Sequence, residues 1–312
     1  MGWFRWSIPN RGLSSVLDPL PDSPYAGGMI IEAGIRATRG FVASAQTEGK
    51  TVGFVPTMGA LHEGHLSLIR SSREVCDVTA VSIFVNPTQF GPAEDLKTYP
   101  RTFDADCRAC EELGVDLIFA PTADAMYPDQ NVTWVSVEKL GDHLCGASRP
   151  HFFRGVCTVV AKLFHIVPAD KAFFGEKDYQ QLAVITRMAA DLNLPIEIVG
   201  RPTVREADGL AMSSRNRYLS IAERKVAPVL YQALQLGAKQ IAAGATNTAT
   251  IIREMQLFLR PGSEVRIDYI SIVDREFLQP VREVSGPVLI AIAAYLGKAR
   301  LIDNIKVDPP GV

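Results

Sequence analysis

An α/β fold, with a parallel sheet in the longer first part of the chain and a smaller α+β unit after it, is what this 312-residue sequence predicts. Apolar, β-prone runs of strand length recur at 52–56, 78–85, 115–120, 171–174 and 196–200, with helical periodicity between most of them. That alternation is the signature of parallel strands joined by crossover helices. From about Pro202 the pattern changes to two helical stretches, 221–243 and 248–259, then strand-like runs at 265–273, 288–295 and 301–307. Polar segments stand at the carboxyl ends of several first-part strands, where open parallel sheets bind ligands near a topological switch point. The change of character falls at 201–204, dividing the chain into 29–203 and 204–312 behind residues 1–28.

Residues 1–28 show no regular period and end in a Pro/Ser/Gly-rich stretch, so they read as a loose, flexible extension. They lack the apolar core of a secretory signal. Arg5 and Arg11 are balanced by Asp18 and Asp22, which leaves two readings open: an organelle-targeting segment, or an upstream start with Met29 as the working one.

The run 52–56 closes at Pro56 and the Met58-Gly59 turn, as a buried strand would. Beyond Leu61, the apolar residues Leu66, Leu68, Ile69 and Val75 fall roughly on one helical side. His62, Gly64 and His65 therefore lie at or just inside a helix N-terminus, where free backbone N–H groups and the helix dipole favour an anion. Two histidines three apart project from one face of the first turn, and Gly64 leaves room for a ligand between them. Imidazolium there can donate to phosphate oxygens as charge builds on them in phosphoryl or nucleotidyl transfer. A helical zinc pair sits four apart with a third ligand elsewhere, so the spacing does not suit zinc.

The strand 78–85 is followed by Asn86-Pro87-Thr88-Gln89-Phe90, and 104–113 has a helical pattern. Within it Asp104 and Asp106 read as caps rather than metal ligands, and Cys107 and Cys110 read as coincidence, since no strand precedes them and no second pair completes a zinc site. After 171–174 come Gly175, Glu176, Lys177 and Asp178, ahead of a helix at 179–192. A lysine there can neutralise phosphate, and the carboxylates can hold ribose or magnesium. Gln89 and Gln181 are neutral amides beside these strand ends, suited to hydroxyls or carboxylates of a small polar substrate. Ser213, Ser214 and Arg215 form a donor-rich turn that suits a triphosphate, with an interdomain helix cap as the other reading.

Composition excludes several classes. A 47% hydrophobic content supports a large core, and a net charge of −2 supplies no basic excess for nucleic acid, so no nucleic-acid partner is expected. No apolar run approaches the roughly 20 residues that span a bilayer, so no membrane association is expected either. Five cysteines spread through a chain of this size fit a reducing, cytoplasmic location.

The segments PTMGALHEGH (56–65), FVNPTQF (84–90), YPRT (99–102), FFGEKDYQQL (173–182) and RPTVREADGLAMSSRNRYL (201–219) together resemble the pantoate–β-alanine ligase family, within the nucleotidylyltransferase superfamily that carries His-x-Gly-His. The resemblance covers about 29–307. It implies a Rossmann-like sheet domain at 29–203 and a smaller lid domain at 204–312. It also implies an ATP-dependent reaction: pantoate is adenylated with release of pyrophosphate, and β-alanine then displaces AMP to give pantothenate. By resemblance Met58, Gly59, Ala60, Leu61, His62, Glu63, Gly64 and His65 contact ATP. His65, His62, Lys177 and Arg215 take catalytic roles. Gly175, Glu176, Lys177 and Asp178, then Val204 and Met212, Ser213, Ser214 and Arg215, complete the nucleotide site. Gln89 and Gln181 hold pantoate, and Gln89 also lies near β-alanine. Magnesium and a homodimer through the N-terminal domain are implied, with Asp106 as the metal residue. Relatives often carry an acid immediately before that position, where this chain has Ala105, so the phosphates would hold most of the metal. Other readings are a nucleotidylyltransferase that keeps the nucleotide on its product, and a non-catalytic nucleotide sensor. A Rossmann dehydrogenase lacks its Gly-x-Gly-x-x-Gly here.

Overall fold

The computed structural model describes residues 28–92, 94–128, 131–259 and 264–310. The extension read at 1–28 lies, apart from Gly28, outside the described residues.

In chain order the first part comprises β1 (Ile30–Glu32), α1 (Ile35–Thr47), β2 (Val52–Thr57), α2 (Glu63–Val75), β3 (Val78–Ile83), α3 (Phe103–Glu112) and β4 (Leu117–Phe119). It continues through α4 (Ala123–Met126), α5 (Cys145–Ser148), α6 (Phe152–Ile166), β5 (Lys171–Gly175), α7 (Tyr179–Asp191) and β6 (Glu197–Arg201). The second part is α8 (Ile221–Val226), α9 (Val229–Ala242), α10 (Thr248–Leu259), β7 (Val265–Asp274), β8 (Val288–Leu296) and β9 (Ala299–Val307).

The six strands β1 to β6 form one sheet in the order β1-β4-β3-β2-β5-β6, with every neighbouring pair parallel. Alternate residues feed two cores. Phe54, Ala80, Leu117 and Phe119 face the layer containing α1, α6 and α7, while Val55, Val81 and Ile118 face Leu68, Ile69, Cys107 and Cys110 of α2 and α3. Burial on both faces explains why these strands read as unbroken apolar runs rather than alternating ones. From β2 the chain moves to β3 on one side, and from β5 to β6 on the other. The adjacent carboxyl ends of β2 and β5 are therefore the topological switch point.

The strands β7, β8 and β9 form an antiparallel meander, with one face on α9 and α10. Val273, Leu278, Leu289 and Ala291 of this part share a core with Phe153, Phe164 and Val184 of the first. Two elements differ from expectation. The sequence does not reveal β1, because three residues are too few to show a period. The single helix expected at 221–243 is two, α8 and α9, because Pro228 has no N–H to continue the ladder and stands as the N-cap of α9.

Cys107 and Cys110 are fully enclosed, and burial pushes the Cys110 thiol up to about 12, which fits the reading of this pair as coincidence. No described helix is long and apolar enough to cross a membrane.

Candidate active site

One cavity of about 650 Å³ opens over the carboxyl ends of β2 and β5. The turn after β2 reaches it through a left-handed pair, Gly59 at φ +74° and Ala60 at φ +51°. Alanine rarely holds that conformation, so something must fix it. Asp106 does so from α3. Its carboxylate is 3% exposed and accepts the N–H groups of Ala60 (2.9 Å) and Leu61 (2.8 Å) and the Thr102 hydroxyl (3.1 Å). On the other side of the same residue, Ser214 Oγ donates to the Ala60 carbonyl at 3.1 Å.

The geometry gives Asp106, expected as the metal residue, a structural role. Both carboxylate oxygens are occupied by backbone and hydroxyl donors, so Asp106 builds the turn. Nor does it cap its own helix, as the sequence suggested, since it reaches across to the loop. Among the described residues no group of three or more His, Cys, Asp or Glu is arranged to hold a metal ion. The residues present therefore do not form a magnesium cage.

The turn delivers His62 to the N-cap of α2 and His65 to its first turn, with ring centroids 4.1 Å apart. Two features of this motif differ from the sequence reading. The N–H of Gly64 is not free, since His62 Nδ1 accepts it at 3.1 Å, and the His62 N–H points at His65 Nδ1 at 3.4 Å. The space above Gly64 is also taken. A Cβ there would lie 2.9 Å from His62 Cε1, so glycine makes room for the His62 ring itself rather than for a ligand.

Charge follows from the same packing. Burial pushes His62 down to about 4, with the Lys177 and Arg217 charges adding and Asp178 opposing. His65 is held well below the ordinary 6.5 by burial, then by His62 and Lys177. Both rings are thus neutral near pH 7, not the imidazolium donors the spacing suggested. Because each Nδ1 faces a backbone N–H, the proton sits on Nε2, and each ring offers one N–H donor.

The turn after β5 brings Gly175, Lys177 and Asp178 to the cavity wall, with Lys177 Nζ 3.5 Å from Asp178. Glu176 turns away and pairs with Lys306 at 2.8 Å. From the segment beyond β6 come Val204, Met212, Ser213, Ser214 and Arg215. Arg215 grips Asp95 in a two-pronged pair at 3.0 and 3.1 Å. Burial alone would raise the Asp95 carboxyl, but Arg215 outweighs it and holds the group below the usual carboxylate range.

Met58 and Gln89 also line the cavity, joined by a contact from Gln89 Nε2 to Met58 Sδ at 3.0 Å. Gln181 lines it with no side-chain hydrogen bond among the described residues. Its neighbour Gln180 also lines the cavity, but its amide is engaged, tying Cys145, Leu140 and His143. Six residues of the sequence-predicted set stay off the cavity wall: besides Glu176 and Asp106, already placed, they are Gly59, Ala60, Leu61 and Glu63. Gly59, Ala60 and Leu61 lie behind it, and Glu63 is ion-paired to Arg70 on the outer side of α2.

Sequence reasoning missed several wall residues. Glu94 and Asp95 are adjacent carboxylates in a loop beyond a strand end, a readable signal, and Glu94 binds Arg149 at 2.7 Å. Asn86 stood inside a noted motif, and its amide donates to Gln89 Oε1 at 3.1 Å. Nothing local in the sequence marks Arg149, Asp303 or Asn304, which arrive from distant segments.

Residues 31–306 match the family described as pantoate-beta-alanine ligase. A curated relative from Moorella thermoacetica, a pantothenate synthetase, is 53% identical over 274 residues, 88% of this chain and 97% of that protein. The crystal structure of pantothenate synthetase from Thermus thermophilus superposes with a TM-score of 0.85 at 46% identity, covering 90% of this chain and all of that one. The pantoate-beta-alanine ligase of Francisella tularensis, solved in complex with beta-gamma ATP and beta-alanine, gives a TM-score of 0.74 at 34% identity, over 89% of this chain and 97% of that one.

Proposed function

The chain belongs to the pantoate–β-alanine ligase family, an ATP-dependent enzyme family that condenses pantoate with β-alanine, and from that premise we propose how its residues divide the work. The reaction proceeds through pantoyl adenylate: the pantoate carboxylate attacks the α-phosphate of ATP, pyrophosphate leaves, and the β-alanine amine then displaces AMP. The single observation that supports this best is the convergence of His62, His65, Lys177 and Arg215 on one cavity at the switch point.

No protein nucleophile is required, so the site acts by alignment and by stabilising charge on phosphate oxygens. The Nε2–H groups of His62 and His65 donate to those oxygens without bringing charge of their own. Lys177 supplies the positive charge, aided by Arg215, whose Nη1 is not engaged by Asp95. Gln89 and Gln181 hold pantoate by its hydroxyls and carboxylate, and Gln89 also borders β-alanine. Gly175, Asp178, Val204, Met212, Ser213 and Ser214 enclose the nucleotide, while Gly59, Ala60 and Leu61 shape its approach from behind the wall. Magnesium enters with the nucleotide as part of the substrate.

The part beyond residue 203 covers the cavity and keeps water from the reactive anhydride. The enzyme acts as a cytoplasmic homodimer. Its buried cysteines, none in a disulfide, fit that compartment, and the apolar surface at Val132, 82% exposed, fits a contact through the first part.

Pyrophosphate release is the test. Pantoate and ATP alone should give a burst close to one per site, and β-alanine should convert it to steady turnover with AMP and pantothenate. His65→Ala should lower the burst rate by about 10²-fold. Gln181→Ala should raise the pantoate requirement more than that for ATP. Pyrophosphate release independent of pantoate would overturn the reading.

A further inference from the structure

The turn that carries Lys177 is held from 127 residues away. The side-chain amide of Asn304, on β9, donates one hydrogen to the Glu176 carbonyl at 2.9 Å and the other to the Lys177 carbonyl at 2.8 Å. Asn304 is 8% exposed, so water does not stand ready to replace it. Two consecutive carbonyls facing one NH₂ group fix both position and tilt of the peptide between them. An aspartate of the same shape would set oxygens against both.

The neighbouring residues extend the same hold. Asp303, 5% exposed, receives Arg205 through two contacts at 2.6 and 3.0 Å. Arg205 lies over the Tyr231 ring at 3.6 Å and sits at the start of the segment that ends in Ser213–Arg215. Lys306 pairs with Glu176. One edge of β9 thus sets the Lys177 turn and the root of the Arg215 segment relative to each other.

We propose that Asn304 is a positioning residue for phosphate activation: it aims Lys177 into the cavity by fixing the backbone of its turn. This rests on the reading of Lys177 as a phosphate ligand, and the test separates the two. Pyrophosphate formation is measured in a double-mutant cycle of Asn304→Ala and Lys177→Ala. Asn304→Ala should slow the wild-type enzyme about tenfold, as a misplaced catalytic group does, and slow the Lys177→Ala enzyme less than about twofold. An equal loss in both backgrounds, or none in either, would overturn the proposal.

Amide hydrogen exchange of Asn304→Asp reads the hold directly. Faster exchange confined to peptides around 176–182 supports it, and exchange unchanged there overturns it. Faster exchange throughout the molecule also overturns it, because Asn304 would then serve general stability. Lys177→Ala at full rate would instead overturn the role of Lys177, whatever the exchange experiment shows.

Discussion

On the proposed reading His62 and His65 act as neutral rings, and this has consequences on both sides of pH 6.5. An imidazolium pair would lose its donors as pH rises through the ordinary value, whereas rings already neutral keep their Nε2–H groups. The pH profile of kcat/KM for ATP should therefore show no histidine inflection between 6 and 8. A fall in activity centred near 6.5 on raising pH would restore the imidazolium reading. Stability carries the opposite edge of the same shift. His62 binds its proton at about 4 when folded and near 6.5 when unfolded, so between those values the unfolded chain holds more protons. Stability from this group is complete above about 6.5 and is lost as pH falls toward about 4. The melting temperature should accordingly fall more steeply across that window in the wild type than in His62→Gln.

The turn between β2 and α2 owes its shape to a different element, and this is where the sequence was least legible. The strand, the turn and both histidines could be read from 51–70 alone, because a buried run, a Met-Gly turn and an amphipathic stripe are local patterns. The purpose of Asp106 could not, since its partners lie 45 and 46 residues earlier and a helical aspartate looks like a cap or a ligand in isolation. Arg149 and Asn304 were invisible for the same reason: the fold, not the local pattern, brings them to the cavity. The turn reading makes a distinct forecast. Asp106→Ala leaves two enclosed N–H groups without acceptors, each costing about 1–3 kcal/mol, and relaxes the positive-φ Ala60 that aims His62. Pyrophosphate formation should fall in the order wild type, Asp106→Asn, Asp106→Ala, and added magnesium should rescue neither variant. Recovery of Asp106→Asn at high magnesium would return Asp106 to the metal.

At the scale of the whole molecule, the second part has a core of its own between its sheet and α9 and α10, but a part that swings freely would also need its other face to be free, and it is not. Val273, Leu278, Leu289 and Ala291, from β7, β8 and the loop between them, are buried among α6 and α7 side chains of the first part. The Asn304 contacts and the Lys306–Glu176 pair add polar ties at the same seam. Moving the second sheet as a body would expose that apolar surface and leave polar groups without partners, at a cost of several kcal/mol. Closure over substrate is therefore expected to be confined to the segment between β6 and α8, which carries Val204 and Met212–Arg215. Two parts sharing one seam should also unfold together. A calorimetric scan is expected to show one endotherm, and Leu289→Ala, which opens a cavity in the shared core, should lower that transition as a unit by about 2–5 kcal/mol of stability. Two resolved transitions, with only the later-sequence part shifted by the substitution, would instead establish a separable lid.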